Sequence, residues 1–300
     1  MARKGGLALL IRSIGNDSHD APHTGAMSCG EEGLSKPELD RAYEQAVSSP
    51  YGKKTVAAAA ISNADADVFE AMFEAGQEVT VALAIRNKDL GEITSYNIIG
   101  EMTGSERPQE VVITGGHIDA WDTGVGAMVD GMGVAITMNA VARIGALPRR
   151  PARTLRYVAF GAEELGLLGA KAYAEEYGDV DHVFGIESDF GIGKVWKLSP
   201  AVADDAVPVL GEIASLLKPM GIAWDPEARG FPGPDLTPLV SGAGLAGASL
   251  NGDGTFYFDL HHTAEDTLDK IKAPDLDYNT AAYAALLYLV AEYDGRFDAR

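Results

Sequence analysis

Two hydrophobic periodicities alternate along the chain. From about residue 95, short apolar runs bounded by turn residues give way repeatedly to longer segments with apolar positions at helical spacing. Runs of this length and composition predict strands over 95–101, 111–115, 154–160 and 182–187. The longer segments predict helices over 131–145, 165–177, 204–219 and 273–294. Strands alternating with helices predict an α/β fold with a mainly parallel central sheet flanked by helices. Residues 1–88 read differently. A buried strand is expected at 6–12, loop at 13–35, and a helix at 35–48, where Ser-Lys-Pro-Glu-Leu resembles a capped start. A strand at 55–61, a helix at 63–75 stopped by Gly76, and a strand at 79–85 follow. The chain is therefore expected to divide into a smaller N-terminal α/β or β-rich domain, 1–88, and a larger domain, 89–300. No solenoid-like repeat is present.

Composition narrows the function. With 24 Lys+Arg against 44 Asp+Glu, the formal charge is −20, which leaves no excess of cations to neutralise phosphates and argues against a nucleic-acid partner. Cys29 is the one cysteine, so neither an internal disulfide nor a cysteine-based zinc site is expected. The apolar run from Leu7 to Ile11 is too short for a signal-peptide core, and no run approaches the roughly 18 apolar residues of a membrane span, so no membrane partner is expected.

Four polar clusters follow predicted strands, where ligands gather in α/β sheets. His117 and Asp119 follow Val111-Val112-Ile113-Thr114. In extended chain i and i+2 face one side, so Asp119 is placed to orient the imidazole, as carboxylates do beside metal-bound histidines. Glu163 and Glu164 follow Tyr157-Val158-Ala159-Phe160, and two such neighbours suit metal binding and proton transfer. Glu187-Ser188-Asp189 leaves a third apolar strand, and His261-His262-Thr263-Ala264-Glu265-Asp266-Thr267 precedes the last predicted helix. Each cluster alone also has an ordinary structural reading: a hydrogen-bonded loop pair, first-turn acids, a salt bridge, or a turn capped by Asp266 or Thr267. Their joint placement favours zinc, which takes histidine nitrogen and carboxylate oxygen. No Gly-x-Ser-x-Gly elbow or phosphate-loop fingerprint competes.

The order of these strings resembles the di-zinc exopeptidase family of the carboxypeptidase Q and bacterial aminopeptidase type. The resemblance rests on Gly-Gly-His-Ile-Asp-Ala-Trp-Asp at 115–122, Gly-Ala-Met-Val-Asp-Gly at 126–131, Glu-Glu-Leu-Gly at 163–166, Glu-Ser-Asp at 187–189 and His-His-Thr-Ala-Glu-Asp-Thr at 261–267. Residues 1–88 are similar to part of a protease-associated domain through Leu-Leu-Ile-Arg-Ser-Ile-Gly at 9–15 and Pro-His-Thr-Gly-Ala-Met at 22–27. The resemblance implies that His117 and Asp189 bind one zinc and Glu164 and His262 the other. It makes Glu163 the general acid/base and has Asp119 orient His117. The implied substrate is a small peptide. A homodimer is one implied assembly, and relatives are often exported, although this chain shows no export signal.

One position departs from the family pattern. Where relatives carry Asp-Asp-Gly, with the first Asp bridging both metals and followed by a cis peptide, this chain has Val129-Asp130-Gly131. Valine offers no ligand, and Asp130 as substitute ligand would have to point inward where successive extended residues face opposite sides. The expectation is one zinc, or a weakly held second, and impaired hydrolysis. The alternatives are a catalytically inactive binding module on the same fold and a glutaminyl-cyclase-like single-zinc enzyme.

Overall fold

The computed structural model describes residues 8–15, 20–25, 57–86, 88, 90–191 and 193–298. The chain divides into two compact units, Met1–Ile93 and Thr94–Arg300. In the first, strands β1 (Ala8–Arg12) and β2 (Ala57–Ile61) pair in parallel, and helix α1 (Asn63–Glu74) follows β2. The Ser62 hydroxyl starts α1 by accepting from the Asp65 N–H at 3.0 Å, the usual N-cap bond. The strand expected at 79–85 is not formed: these residues make no ladder with any described strand. Their β-branched composition favours a pleated surface, but that preference depends on a neighbouring strand to pack against. The helix expected at 35–48 lies outside the described residues.

The second unit holds a seven-stranded sheet. Its strands are β3 (Ile98–Met102), β4 (Arg107–His117), β5 (Arg153–Phe160), β6 (Asp181–Glu187), β7 (Lys197–Ala201), β8 (Ala223–Trp224) and β9 (Gly247–Asn251). Their order across the sheet is β3-β5-β4-β6-β9-β7-β8. The four central strands, β5-β4-β6-β9, are all parallel, whereas β3 on β5 and β7 on β9 are antiparallel. The sheet is therefore mixed, with a parallel centre. The carboxyl ends of β4, β5, β6 and β9 consequently emerge along one edge, which is where a ligand crevice forms.

Helices α2 (Gly133–Gly145), α3 (Leu168–Tyr177), α4 (Val207–Leu217), α5 (Thr237–Ala243), α6 (Tyr257–Leu260) and α7 (Ala273–Glu292) complete the unit. Successive residues of β4 serve opposite faces, as period-2 geometry requires. Val112 joins Ile136, Leu155, Phe184, Leu198 and Leu286 in one core. Ile113 joins Val158, Phe160, Tyr173, Leu236 and Leu239 in the other. Arg153 at the start of β5 is 1% exposed. Its Nε donates to Glu110 at 2.6 Å, and its guanidinium also donates to the carbonyls of Val290 at 3.1 Å, Tyr293, and Gly295 at 2.6 Å. That network satisfies the buried cation and ties the end of α7 to the sheet.

The predicted helix at 165–177 begins later, at Leu168, because the preceding residues form a tight turn. Ala162 and Leu167 take left-handed φ of 57° and 59°, and the Glu163 carbonyl accepts from the N–H groups of Gly166 and Leu167. The segment 221–257 carries β8, α5 and β9, each seven residues or fewer and each too short for a distinctive period. Among the described residues, no helix is long and apolar enough to cross a membrane.

Candidate metal centre

His117 is the last residue of β4 and is 1% exposed. Its Nδ1 lies 2.9 Å from the backbone carbonyl oxygen of Asp119 and 3.6 Å from that residue's carboxylate. With Nδ1–H donating to the carbonyl, Nε2 is the nitrogen left for a metal. Nε2 faces Asp189 Oδ1 at 3.5 Å. The Asp119 carboxylate also holds the glutamate pair, because Oδ1 accepts from the Glu163 N–H at 2.9 Å and Oδ2 from the Glu164 N–H at 3.2 Å. One side chain thereby links the loop after β4 to the loop after β5. Although burial pushes its pKa up, the His117 contact and these two N–H donors hold the Asp119 carboxyl below the ordinary range.

Val129 and Asp130 lie in a wide helical turn, Ala127–Met132, and both have non-helical backbone angles. The peptide between them is cis. The two side chains go separate ways. Val129 packs with Met128, Tyr257 and Leu260 in an apolar cluster. Asp130 is buried at 3% exposure and turns inward. Its Oδ2 accepts from the His117 N–H at 3.1 Å and its Oδ1 from the Gly133 N–H at 3.2 Å. Donor atoms of His117, Asp130 and Asp189 lie within 4.8 Å of one another, as do those of His117, Glu163 and Glu164. This approach needs two glycines: a Cβ on Gly116 would collide with Asp130 Oδ2, and one on Gly133 with Asp130 Oδ1 and the Ser188 carbonyl.

His262 follows α6 with a left-handed φ of 57°, a conformation that favours glycine and marks a position held by its surroundings. Its ring stacks on His261 at 3.5 Å between centroids, and the Trp121 ring meets it edge-on with centroids 6.5 Å apart. His262 Nε2 is 2.9 Å from Glu164 Oε1, yet that buried oxygen makes no hydrogen bond. Two donor atoms this close without a hydrogen bond between them are placed to share a cation. His117, Asp130, Asp189, Glu164 and His262, which offer nitrogen and carboxylate oxygen without thiolate, form a donor set of the kind zinc takes.

Charge is concentrated here. Burial lowers the His117 pKa, but Asp119, Asp189 and Asp130 outweigh it, and the imidazole is pushed up to about 12. Burial, then Asp189, raises Asp130 well above the carboxylate range. Glu163 is pushed up to about 7 by burial, opposed by His117 and reinforced by Asp189, Glu164 and Asp119. Crowded carboxyls resist joint ionisation, and a divalent cation would relieve that crowding.

Two further acids take parts that their place in the sequence does not indicate. The Asp266 carboxylate accepts from the N–H groups of Met128 at 2.6 Å and Val129 at 3.2 Å, while its backbone carbonyl accepts from Val125 at 3.0 Å. Rather than capping its own turn, Asp266 clamps the turn that presents Asp130. Asp235 lies beside Glu187, whose Oε2 accepts the Asp235 N–H at 2.9 Å. Burial raises both, Asp235 to about 7. Asp235 sits in a Gly-Pro-rich stretch that offers no periodic signal.

A model of peptidase family M28 matches residues 97–287. Bovine carboxypeptidase Q (Bos taurus) is 32% identical over 98% of this chain and 58% of its own length, and the human protein (Homo sapiens) gives the same figures. The chain thus spans little more than half the length of these relatives. A peptidase M28 precursor from Shewanella amazonensis SB2B superposes with a TM-score of 0.85 at 40% identity, covering 99% of this chain and 62% of that one. An aminopeptidase from Aneurinibacillus sp. strain AM-1 shares the fold at 22% identity, with a TM-score of 0.59 over 100% of this chain and 68% of its own.

Proposed function

The chain belongs to peptidase family M28, and from that premise we propose that it is a zinc-dependent exopeptidase acting on dipeptides or short peptides with a free terminus. The observation that carries the reading is the convergence of His117, Asp130 and Asp189, with Glu163 and Glu164 beside them. His117, Asp130 and Asp189 would hold one zinc, supplying the three protein donors typical of a catalytic site. Glu164 and His262 would hold a second ion more weakly, since Val129 contributes no ligand. Asp130 thus serves as substitute for the bridging carboxylate towards one ion.

Bound zinc supplies polarisation of the scissile carbonyl and a more acidic water. Glu163 takes the proton of the attacking water and delivers it to the leaving amine. A carboxyl displaced from its ordinary range towards neutrality is suited to both halves of that transfer. Asp119 positions the pair of glutamates through their backbone N–H groups and His117 through Nδ1. The half-buried setting of these groups limits water around the transferred proton.

The test is hydrolysis of a dipeptide panel with added zinc, set against a Glu163→Gln variant and coupled to metal analysis. Cleavage lost in the variant, with one zinc firmly retained, supports the reading. Equal background in both proteins favours a catalytically inactive binding module, the second reading that the burial of Val129 among apolar side chains sustains. Two tightly held zincs per chain would overturn the weakened second position.

A further inference from the structure

Asp189 does not stand on β6 but in the loop that follows it. The loop runs from Ser188 to Trp196, and its described residues form no helix or strand. Its entry is fixed by backbone bonds: the Glu187 N–H donates to the Pro232 carbonyl at 2.7 Å, and the Ser188 N–H to the Gly115 carbonyl at 3.2 Å. Just past Asp189, the Phe190 ring packs on Tyr257 with centroids 4.6 Å apart. Apolar contact is non-directional, so the aim of the Asp189 carboxylate is left to other bonds.

Those bonds come from one face of α7. Asn279 and Tyr283 are four residues apart, hence neighbours on one side of the helix, and both are buried. The Tyr283 hydroxyl donates to the Glu187 carbonyl at 3.0 Å and also bonds the Ser188 side chain. Asn279 holds the far end. Its Oδ1 accepts from the Val195 N–H at 2.8 Å, and its Nδ2 donates to the Gly193 carbonyl at 3.0 Å. One helix face thereby grasps the chain before and after Asp189. Packing alone does not account for the asparagine. It is a weak helix former, and burying its amide is costly unless both ends are bonded. Elsewhere α7 meets the core with Ala282, Leu286, Leu287 and Val290.

We propose, on the reading of Asp189 as a zinc ligand in a peptidase, that Asn279 and Tyr283 are positioning residues of the metal centre. They set the place of the Asp189 carboxylate by holding its loop at both ends. Both act through residues 187–188 and 193–195. A loop ordered in advance by a helix loses less freedom when it takes a metal, so its ligand binds more tightly.

The test measures zinc affinity by competition with a chromogenic chelator and stability by urea unfolding of the metal-free protein. Asn279→Ala should weaken zinc binding about 10–100-fold, as removal of a ligand's support does, and Tyr283→Phe, which deletes one oxygen, by about threefold or more. Leu210→Ala, a cavity in the same core but on α4, should lower the urea midpoint and leave zinc affinity within about twofold of wild type. The main comparison is the double variant Asp189→Asn, Asn279→Ala. With the ligand already lost, removing its support should cost no more than about a further twofold. A readout without metal is amide exchange: the Val195 N–H should exchange about tenfold faster in Asn279→Ala, having lost its acceptor. Should Asn279→Ala not fold, Tyr283→Phe carries the same cycle with Asp189→Asn. Fully additive losses in the double variant, unchanged exchange at Val195, or zinc affinity that falls equally in Leu210→Ala would overturn the positioning role. Unchanged affinity in Asp189→Asn would instead remove Asp189 from the ligands, and with it the reading on which that role stands.

Discussion

Replacing Asp266 with alanine should loosen the metal centre from a distance. The carboxylate is 3% exposed and accepts two backbone N–H groups, from Met128 and Val129, immediately before Asp130. Alanine leaves both donors buried without acceptors. Each stranded donor costs about 1–3 kcal/mol, a gross loss of roughly 2–6 kcal/mol. Burial pushes the Asp266 carboxyl up, so ionising it in place has its own penalty, which alanine removes. The net loss should therefore fall in the middle of that range, about 2–4 kcal/mol. In a domain of this size that lowers Tm by roughly 5–15 °C. Asp266→Asn keeps one acceptor oxygen but turns an amide NH2 towards the other N–H, and should lose about half as much. Urea unfolding of the metal-free protein reads the stability, and competition with a chromogenic chelator reads zinc affinity. Both should fall together in the alanine variant, with asparagine between. A denaturation midpoint within error of wild type, or zinc affinity unchanged while stability drops, would refute the view that Asp266 holds the turn presenting Asp130.

Other outcomes follow from the same geometry. Gly116→Ala drives a methyl into Asp130 Oδ2 and should weaken zinc binding by tenfold or more with a smaller effect on melting, measurable by the same chelator competition. Val129→Asp puts a carboxylate among Met128, Tyr257 and Leu260; the metal-free protein should lose about 3 kcal/mol or more, and added zinc should restore melting and raise the bound metal towards two per chain. If added zinc restores nothing, that side chain does not reach the ions. Arg153→Met removes one member of a buried pair and strands Glu110 and three carbonyls, and should cost about 3 kcal/mol or more in urea unfolding. In the metal-free protein the pKa values of His117 and Asp130 are both raised, so at neutral pH the centre holds protons that a ligated metal must displace. Zinc binding should release protons and tighten as pH rises, and calorimetric heats should vary with buffer ionisation heat; buffer-independent heats would contradict this.

The parallel centre of the sheet was legible because β4, β5 and β6 are buried runs of Val, Ile, Leu and Phe, a composition that fits few other roles. The strand ends at His117, Glu163 and Asp189 were legible for the same reason: the period stops where the polar residues start. The direction of Asp130 was not. A rule for extended chain rightly sets Val129 and Asp130 on opposite sides but cannot say which faces inward, and that depends on N–H groups of His117 and Gly133 and a carboxylate more than 130 residues away. Asp235 and β9 were hidden in a stretch where tertiary contacts, not periodicity, set the structure. The strand expected at 79–85 failed for the converse reason: composition reports a preference, and pairing requires a neighbour.

The buried guanidinium of Arg153 also orders events during synthesis. Its acceptors on Val290 and Gly295 are 137 and 142 residues further along, so they leave the ribosome long after β5 does. Until then a β5 strand packed in its final place would carry a cation lacking most of its partners. A sheet closed before then would bury that cation against Glu110 alone, with its carbonyl acceptors on Val290 and Gly295 still to come. A ribosome stalled before that point should present a protease-sensitive chain, even though every residue of the metal centre has already been made.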